Sequence, residues 1–274
     1  MNEFITDFIE KIRNVQSEND LREMYRWLFT KQHDVANTAA QINNAFNLQG
    51  DLELKPDLLC LNVGASNGMV VLAANPGWSL EDNAREDAFC RNSVENYEDL
   101  IFNFFDTHPK VVGRRVRWWS GPINFSRELM PEYCENRNAS AQQKWQAVNK
   151  SKTLGGWELF PWHSISDGIS PQIKKSPWLH EFCKESILAL IRLQPKIILV
   201  ASKEGYDLVR RDLLDSVPWS DSTIGQKTSV AIAYTRIKSG CEIIAIRRQI
   251  FASFKVLTNQ EIFDEIERLR RGWK

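Results

Sequence analysis

The sequence has no excess of charge of either sign, because 35 Lys and Arg residues balance 35 Asp and Glu residues in a chain of 274. Zero net charge excludes a histone-like or tail-driven nucleic-acid binder, since such a protein needs an overall positive field. With 43% hydrophobic residues, the composition also excludes a disordered chain. The length suits one large α/β domain or two small ones.

Long apolar runs are missing as well. None approaches the roughly 18 residues that a membrane span requires. The first residues, MNEFITD, carry acids where a secretory signal peptide has a basic region. We therefore expect a cytoplasmic protein with no membrane partner.

Metal-binding patterns are also absent from the sequence. Its four histidines show no H-E-x-x-H spacing, and its cysteines form no C-x-x-C pair, which is atypical of zinc and iron–sulfur sites. We predict no metal and no cofactor. We expect small buried thiols in a reducing compartment at Cys60, Cys90, Cys134, Cys183 and Cys241.

Strands and amphipathic helices alternate along the chain. Short apolar segments predict buried strands at residues 69–74, 197–201 and 243–246. The short, aromatic, Pro-terminated segment 157–161 predicts the end of a further strand. This pattern predicts a three-layer α/β/α fold with a central, mostly parallel four-stranded sheet and additional N-terminal helices. We expect residues 1–55 to form a helical extension packed on the core, and residues 56–274 to form the α/β domain.

Helical periodicity is clearest at the two ends and around residue 185. Residues 3–15 place five apolar side chains on one face, and Ser17 to Asp20 nearly match a capping box. Further helices are predicted within residues 80–106, after Pro177, over 203–216 and after Thr258.

Ligands of parallel sheets bind beyond the carboxyl ends of the strands. The segments in that position are Asn75 to Trp78, Glu158 to His163, Ser202 with Lys203, and Arg247 to Gln249. These segments are the candidate site.

Three of the strand segments carry a resemblance to a known family. VVLAANPG at residues 70–77 resembles the first active-site motif of the uracil-DNA glycosylase superfamily, whose mismatch-specific and single-strand-selective branches end a strand in G-x-N-P-G. ELFP at 158–161 is similar in place and spacing to the family's N-x-x-P segment, whose Asn reads the pyrimidine edge. QPKIILVA at 194–201 resembles the third strand, P-K-x-I-x-x-x-G. The resemblance covers residues 65–250.

The chain departs from the family pattern at three places. Ala73 stands where the family has Gly, Glu158 replaces the pyrimidine-reading Asn, and IRRQ at 246–249 stands where the late H-P-S-P motif is expected. The missing late His argues against ordinary uracil chemistry. A carboxylate at residue 158 offers only acceptors and suits the 4-amino group of cytosine.

The resemblance implies a DNA glycosylase that flips a base and leaves an abasic site. Because unmodified cytosine would be a lethal target, we expect a 5-substituted base such as glucosylated hydroxymethylcytosine in phage DNA, and hence a role in anti-phage defence. We expect a monomer whose partner is phage or otherwise modified DNA.

Residue roles follow from the resemblance and from side-chain chemistry. The predicted catalytic residues are Asn75, which positions water, with His163 and Arg248. The predicted contacts to the base are Glu158, Pro76, Gly77, Trp78, Phe160 and Trp162. The predicted contacts to DNA are Arg114, Arg115, Arg117, Lys203 and Arg247.

Alternative interpretations remain open. Asn-Pro-Gly is a common turn, and the basic stretch 107–127 can balance the acidic stretch 80–99 instead of contacting DNA. A free-nucleoside N-ribosyl hydrolase would use the same strand-end residues without needing that basic stretch. A degenerate glycosylase fold would bind modified DNA or a nucleotide without cutting it.

Overall fold

The computed structural model describes residues 3–46, 68–74, 89, 93–103, 107, 120–130, 143, 146–147, 151–160, 175–225, 229–248 and 259–273. The chain forms two compact units. The first comprises residues 1–64, 74–115 and 157–193, and the second comprises residues 65–73, 116–156 and 194–274. The predicted division at residue 55 stays a prediction.

The described strands form one six-stranded sheet in the order β2-β1-β3-β6-β5-β4. In chain order the strands are β1 (Met69–Ala73), β2 (Leu154–Glu158), β3 (Ile197–Val200), β4 (Ser220–Ile224), β5 (Val230–Arg236) and β6 (Glu242–Ile246). They belong to the second unit, except that Trp157 and Glu158 belong to the first.

Four of these strands run in the same direction. β1 pairs with β3, and β3 pairs with β6, in parallel register. β2 runs parallel to β1, because the amide of Met69 donates to the carbonyl of Thr153 at one end and the amide of Phe160 donates to that of Ala74 at the other. Their residues are almost all buried, as unbroken apolar runs predict for β1, β3 and β6. β2 is not such a run, since it reads Leu-Gly-Gly-Trp-Glu, and it overlaps the predicted strand-end segment 157–161 only at Trp157 and Glu158. The predicted α/β fold with a mostly parallel sheet is confirmed.

The sheet has two strands more than the four predicted. β5 pairs with β6, and β4 pairs with β5, both antiparallel. β4 reads Ser-Asp-Ser-Thr-Ile and has half-buried or exposed side chains, because it lies at one edge of the sheet. A strand this polar leaves no apolar alternation in the sequence, so hydrophobic periodicity does not reveal it.

Helices flank the sheet strands in the chain. They are α1 (Glu3–Arg13), α2 (Glu18–Thr30), α3 (Gln32–Phe46), α4 (Val94–Phe102), α5 (Ser120–Leu129), α6 (Pro177–Arg192), α7 (Lys203–Asp207) and α8 (Asn259–Gly272). α7 continues into a π-helical segment, Leu208–Leu213. Helical structure after β3 therefore ends at Leu213 and does not reach the predicted residue 216.

The N-terminal helices of the first unit follow the predicted pattern. All five apolar side chains expected on one face of α1 are buried. Ser17 caps α2 through a capping box: its Oγ accepts from the amide of Asp20, and the Asp20 carboxylate accepts from the amide of Ser17 at 2.8 Å.

α1 packs against α6 within the first unit. The ring of Phe8 lies edge-on to that of Phe182, with centroids 5.1 Å apart. Arg13 pairs with Glu181 at 2.7 Å, and Arg192 donates to the carbonyl of Val15 at 2.8 Å, just beyond the end of α1. These contacts join the helical N-terminus to α6, the helix that follows β2 and its last residue, Glu158, in the chain.

In the second unit, α8 is amphipathic as predicted. Ile262, Ile266 and Leu269 are buried. The ring of Phe263 lies 4.5 Å from that of Phe125 on α5, measured between centroids. α8 therefore contributes its apolar face to the core of the unit that contains most of the sheet.

Candidate functional site

Many of the predicted site residues lie outside the described residues. The predicted roles of these residues stay predictions. They are Asn75, Pro76, Gly77, Trp78, Arg114, Arg115, Arg117, Trp162 and His163. Glu158, Phe160, Lys203, Arg247 and Arg248 are described.

In the first unit, the end of β2 lies beside the residue that precedes Asn75. The amide of Phe160 donates to the carbonyl of Ala74 at 3.1 Å. Glu158, two residues before Phe160, is the last residue of β2 and is half-buried, with its Oε2 atom shielded from solvent. Backbone pairing thus brings together the two chain segments that sequence motifs single out.

Two hydrogen bonds connect this strand end to α6. The indole Nε1 of Trp157 donates to the hydroxyl of Ser186 at 2.7 Å, and both residues are buried. The thiol of Cys183 donates to the carbonyl of Leu159 at 3.4 Å. Burial raises the pKa of Cys183, so this thiol stays protonated and acts as a weak donor. The residues on both sides of Glu158 are therefore anchored to α6.

Phe160 is a core residue in this structure. Its side chain is 0% exposed, and its ring lies edge-on to that of Phe182, with centroids 6.4 Å apart. A ring without exposed surface offers no face to a ligand in this conformation. The predicted contact of Phe160 with the base requires the ring to leave this packed position.

The second unit carries charged residues at the carboxyl ends of β3 and β6. Ser202 follows β3 and caps α7, with its hydroxyl accepting from the amide of Gly205 at 3.0 Å. Lys203, the first residue of α7, is exposed. Its predicted contact to DNA stays a prediction.

Arg247 is bound to a buried carboxylate that follows β3. Its Nε donates to Oδ1 of Asp207 at 3.1 Å, and the Asp207 side chain is only 4% exposed. Arg211 approaches the same oxygen, with its Nη1 at 3.7 Å. Hydrogen bonding to Asp207 raises the pKa of Arg247 above its ordinary value. We call Asp207, Arg211 and Arg247 the Asp207 cluster.

Arg248 is half-buried, and its Nη1 atom is shielded from solvent. Its amide donates to the carbonyl of Ile246 at 2.8 Å, while the amide of Arg247 donates to that of Ala231 on β5. Arg247 thus continues the antiparallel pairing beyond β6, and the chain turns at Arg248. The predicted catalytic role of Arg248 stays a prediction.

No family model, curated protein or solved structure matches this chain.

Asp207, Arg211 and Ser186 are not among the site residues predicted from the sequence. Asp207 and Arg211 are spaced i, i+4 on a predicted helix, which is the spacing of a helical ion pair. That spacing was the available signal. The burial of Asp207 and its pairing with Arg247 depend on two strands meeting in space, which the sequence does not display. Ser186 gives no signal, since serine on a helix is ordinary.

The chain contains ten tryptophans, and four of the five that the structure describes make packing contacts or hydrogen bonds. Trp157 is buried in the core, and Trp27 stacks on Phe4 with ring centroids 5.6 Å apart. Trp219 donates to the carbonyl of Leu214, and Trp273 lies edge-on to Tyr234. The large number of tryptophans is therefore explained in part by intramolecular contacts.

Two absences apply to the described parts of the chain. No helix there is long and apolar enough to cross a membrane. In the same residues, no group of three or more His, Cys, Asp or Glu side chains is placed to hold a metal ion.

Proposed function

We propose that this protein is a DNA glycosylase that hydrolyses the N-glycosidic bond of a modified, cytosine-type base. The observation that carries the proposal is the hydrogen bond between Phe160 and Ala74. It supports a common site for Asn75, the next residue after Ala74, and Glu158, the last residue of β2. Asn75 lies in the segment that resembles the family's first active-site motif, and Glu158 stands where the family has its pyrimidine-reading Asn.

The chemistry of Glu158 supports a cytosine-type base. Its carboxylate terminates a buried strand and is itself half-buried, with Oε2 shielded from solvent. An ionised carboxylate accepts hydrogen bonds and donates none, so it pairs with the 4-amino group of cytosine and is repelled by O4 of uracil. Asparagine at this position would accept from N3–H and donate to O4 of uracil.

The proposed reaction is hydrolysis at C1′ of a flipped nucleotide. The bond between C1′ and the base nitrogen breaks through an oxocarbenium-like state, and its electron pair leaves with the base. Water, oriented by the side-chain amide of Asn75, adds hydroxide to C1′, and the base takes up the remaining proton. The products are an abasic site and the free base.

The anchoring of β2 supports a recognition role for Glu158. Trp157 and Leu159 flank it in the chain, and both are fixed to α6 through Ser186 and Cys183. A side chain that must discriminate between bases requires a rigid support. An ordinary surface carboxylate would need no such support.

A base-release assay tests the proposal. The protein is incubated with DNA containing uracil, hydroxymethylcytosine or glucosylated hydroxymethylcytosine, and alkali then converts abasic sites into strand breaks. We expect breaks with the modified cytosines and their loss in Asn75→Ala, with DNA binding retained. The absence of breaks on every substrate would refute the glycosylase proposal, and retained binding would then favour a non-catalytic binder.

Variants of Glu158 test the identity of the base. We expect Glu158→Asn to shift release from cytosine-type bases toward uracil. Glu181→Gln removes a carboxylate from α6, where Glu181 pairs with Arg13, and serves as the matched control. If Glu158→Asn and Glu181→Gln have the same base preference as the original protein, Glu158 does not read the base.

A further inference from the structure

The Asp207 cluster combines a buried carboxylate with two accessible guanidinium groups. The side chain of Asp207 is 4% exposed, whereas those of Arg247 and Arg211 are 36% and 61% exposed. A buried carboxylate is stable only when paired, and both arginines lie within 4 Å of its Oδ1 atom. The carboxylate is thus an internal support for two side chains that extend to the surface.

The three residues come from different parts of the second unit. Asp207 ends α7, Arg211 lies in the π-helical segment, and Arg247 follows β6. β3, which precedes α7, is the parallel neighbour of β6. The cluster therefore lies at the carboxyl ends of two adjacent parallel strands, where α/β sheets bind ligands.

The π-helical segment is a second observation. The amide of Leu214 donates to the carbonyl of Val209, five residues back, at 3.0 Å. Such i+5 turns are rare and are found frequently at functional sites. The π-helical segment begins directly after Asp207 and includes Arg211.

We propose that Arg247 and Arg211 form a binding site for a phosphate group and that Asp207 is the residue that positions them. Within the cluster, two guanidinium groups face one carboxylate, and the carboxylate of Glu204, outside the cluster, also acts electrostatically on Arg247. Arg247 is held through Nε, and an arginine held in this way can offer its two terminal amino groups to phosphate oxygens as a fork. The phosphate belongs to a DNA strand if the proposed function holds.

The test measures binding of an oligodeoxythymidine, which contains no cytosine-type base, by fluorescence anisotropy over a series of salt concentrations. The slope of log K against log salt is negative, and each lost phosphate contact reduces its magnitude by about 0.7 for a single strand. We expect Arg247→Gln to reduce the magnitude of the slope by that amount and to weaken binding about tenfold, the effect of one charge-assisted hydrogen bond. Arg268→Gln removes an ion-paired arginine from α8 whose side chain is 63% exposed, close to the 61% of Arg211, and should leave both quantities unchanged.

Arg247→Lys and Asp207→Asn separate positioning from charge. Lysine keeps the charge but lacks Nε, so we expect Arg247→Lys to lose most of the affinity that Arg247→Gln loses. Asp207→Asn should also weaken binding, although it adds one net positive charge, and circular dichroism checks that it folds. Binding by Arg247→Lys equal to that of the original protein would overturn the positioning role. Equal slopes for Arg247→Gln and Arg268→Gln would overturn the phosphate site.

Competition identifies the source of the phosphate. Inorganic phosphate and thymidine monophosphate are titrated against the bound oligonucleotide. Displacement by either at low concentration, dependent on Arg247, indicates a site for free phosphate compounds, whereas displacement only by a second oligonucleotide indicates a strand contact. Loss of binding in Arg247→Gln together with no base release from any DNA would overturn the glycosylase but support the phosphate site. Base release together with unchanged oligonucleotide binding in Arg247→Gln would support the glycosylase and overturn the phosphate site.

Discussion

The hydrogen bond between Trp157 and Ser186 makes a strong prediction about stability. Ser186→Ala removes the acceptor of the indole N–H at a site where both residues are almost fully buried, 1% and 2% exposed. A buried donor left without its partner costs about 1–3 kcal/mol. We therefore expect the free energy of unfolding to fall by about 2 kcal/mol and the melting temperature to fall by about 3–4 °C for a chain of this size.

Thermal and urea unfolding followed by circular dichroism measure this effect. Ser239→Ala, in the exposed turn before β6, is the matched control and should stay within about 0.5 kcal/mol of the original protein. In the double variant with Trp157→Phe, the N–H is also gone, so Ser186→Ala should cost less there than alone. A melting temperature for Ser186→Ala equal to that of Ser239→Ala would show that the bond does not hold β2.

Three further predictions follow from capping, burial and backbone conformation. Hydrogen bonds, chiefly from Ser17, hold the pKa of Asp20 below its ordinary 3.8, so the capping box stabilises the fold above that value and its contribution is lost as the pH falls through the lowered pKa. Ser17→Ala should reduce the free energy of unfolding at pH 7 by about 1 kcal/mol, and the variant should lose less stability on acidification than the original protein does. An unchanged dependence of stability on acid pH would contradict the capping box. Burial raises the pKa of Cys183, and burial with the nearby Glu242 carboxylate raises that of Cys241 to about 12; mass-mapped alkylation of the native protein at pH 8 should therefore spare both thiols, and rapid labelling of either would show that its site opens. Gly240 has φ +89° with open space around the position of a Cβ, so Gly240→Ala should cost about 1 kcal/mol through backbone strain alone, and a neutral result in urea unfolding would refute that reasoning.

The amphipathic helices were predictable because their cause is local. The apolar face of α1 and the cap of α2 depend on residues a few positions apart, and the structure buries or bonds them as expected. Three of the four parallel strands, β1, β3 and β6, were predictable for a related reason, since a strand covered on both faces must be continuously apolar. β2 contains Gly155 and Gly156 and lacks such a run, so only its end was predictable.

β4 and β5 are the two strands missing from the prediction, for different reasons. β4 is polar because the edge of a sheet tolerates polar side chains, so composition alone does not separate it from a loop. β5 does carry apolar residues at alternate positions, namely Val230, Ile232 and Tyr234, and this alternation is the pattern that predicts a half-buried strand. The strand order also depends on contacts between distant segments, which periodicity does not specify.

The candidate site shows the same division. The rule that ligands lie at strand ends led to Glu158 and Arg247, because strand ends can be located from apolar runs. It did not lead to Asp207, whose importance comes from burial, nor to the full burial of Phe160. Both depend on how separate elements pack.

The mixed direction of the sheet has a consequence for the order of folding. Five residues separate β4 from β5, and five separate β5 from β6, so their antiparallel pairs close small loops and form quickly. β1 must wait for β3, since Val71 pairs with Leu199 from a distant part of the chain. We expect the C-terminal three-stranded ribbon to form first and to serve as the template on which β3, then β1 and β2, assemble. During synthesis, β1 and the following Asn75 therefore leave the ribosome long before β2 and β3, the strands that pair with β1, have been made.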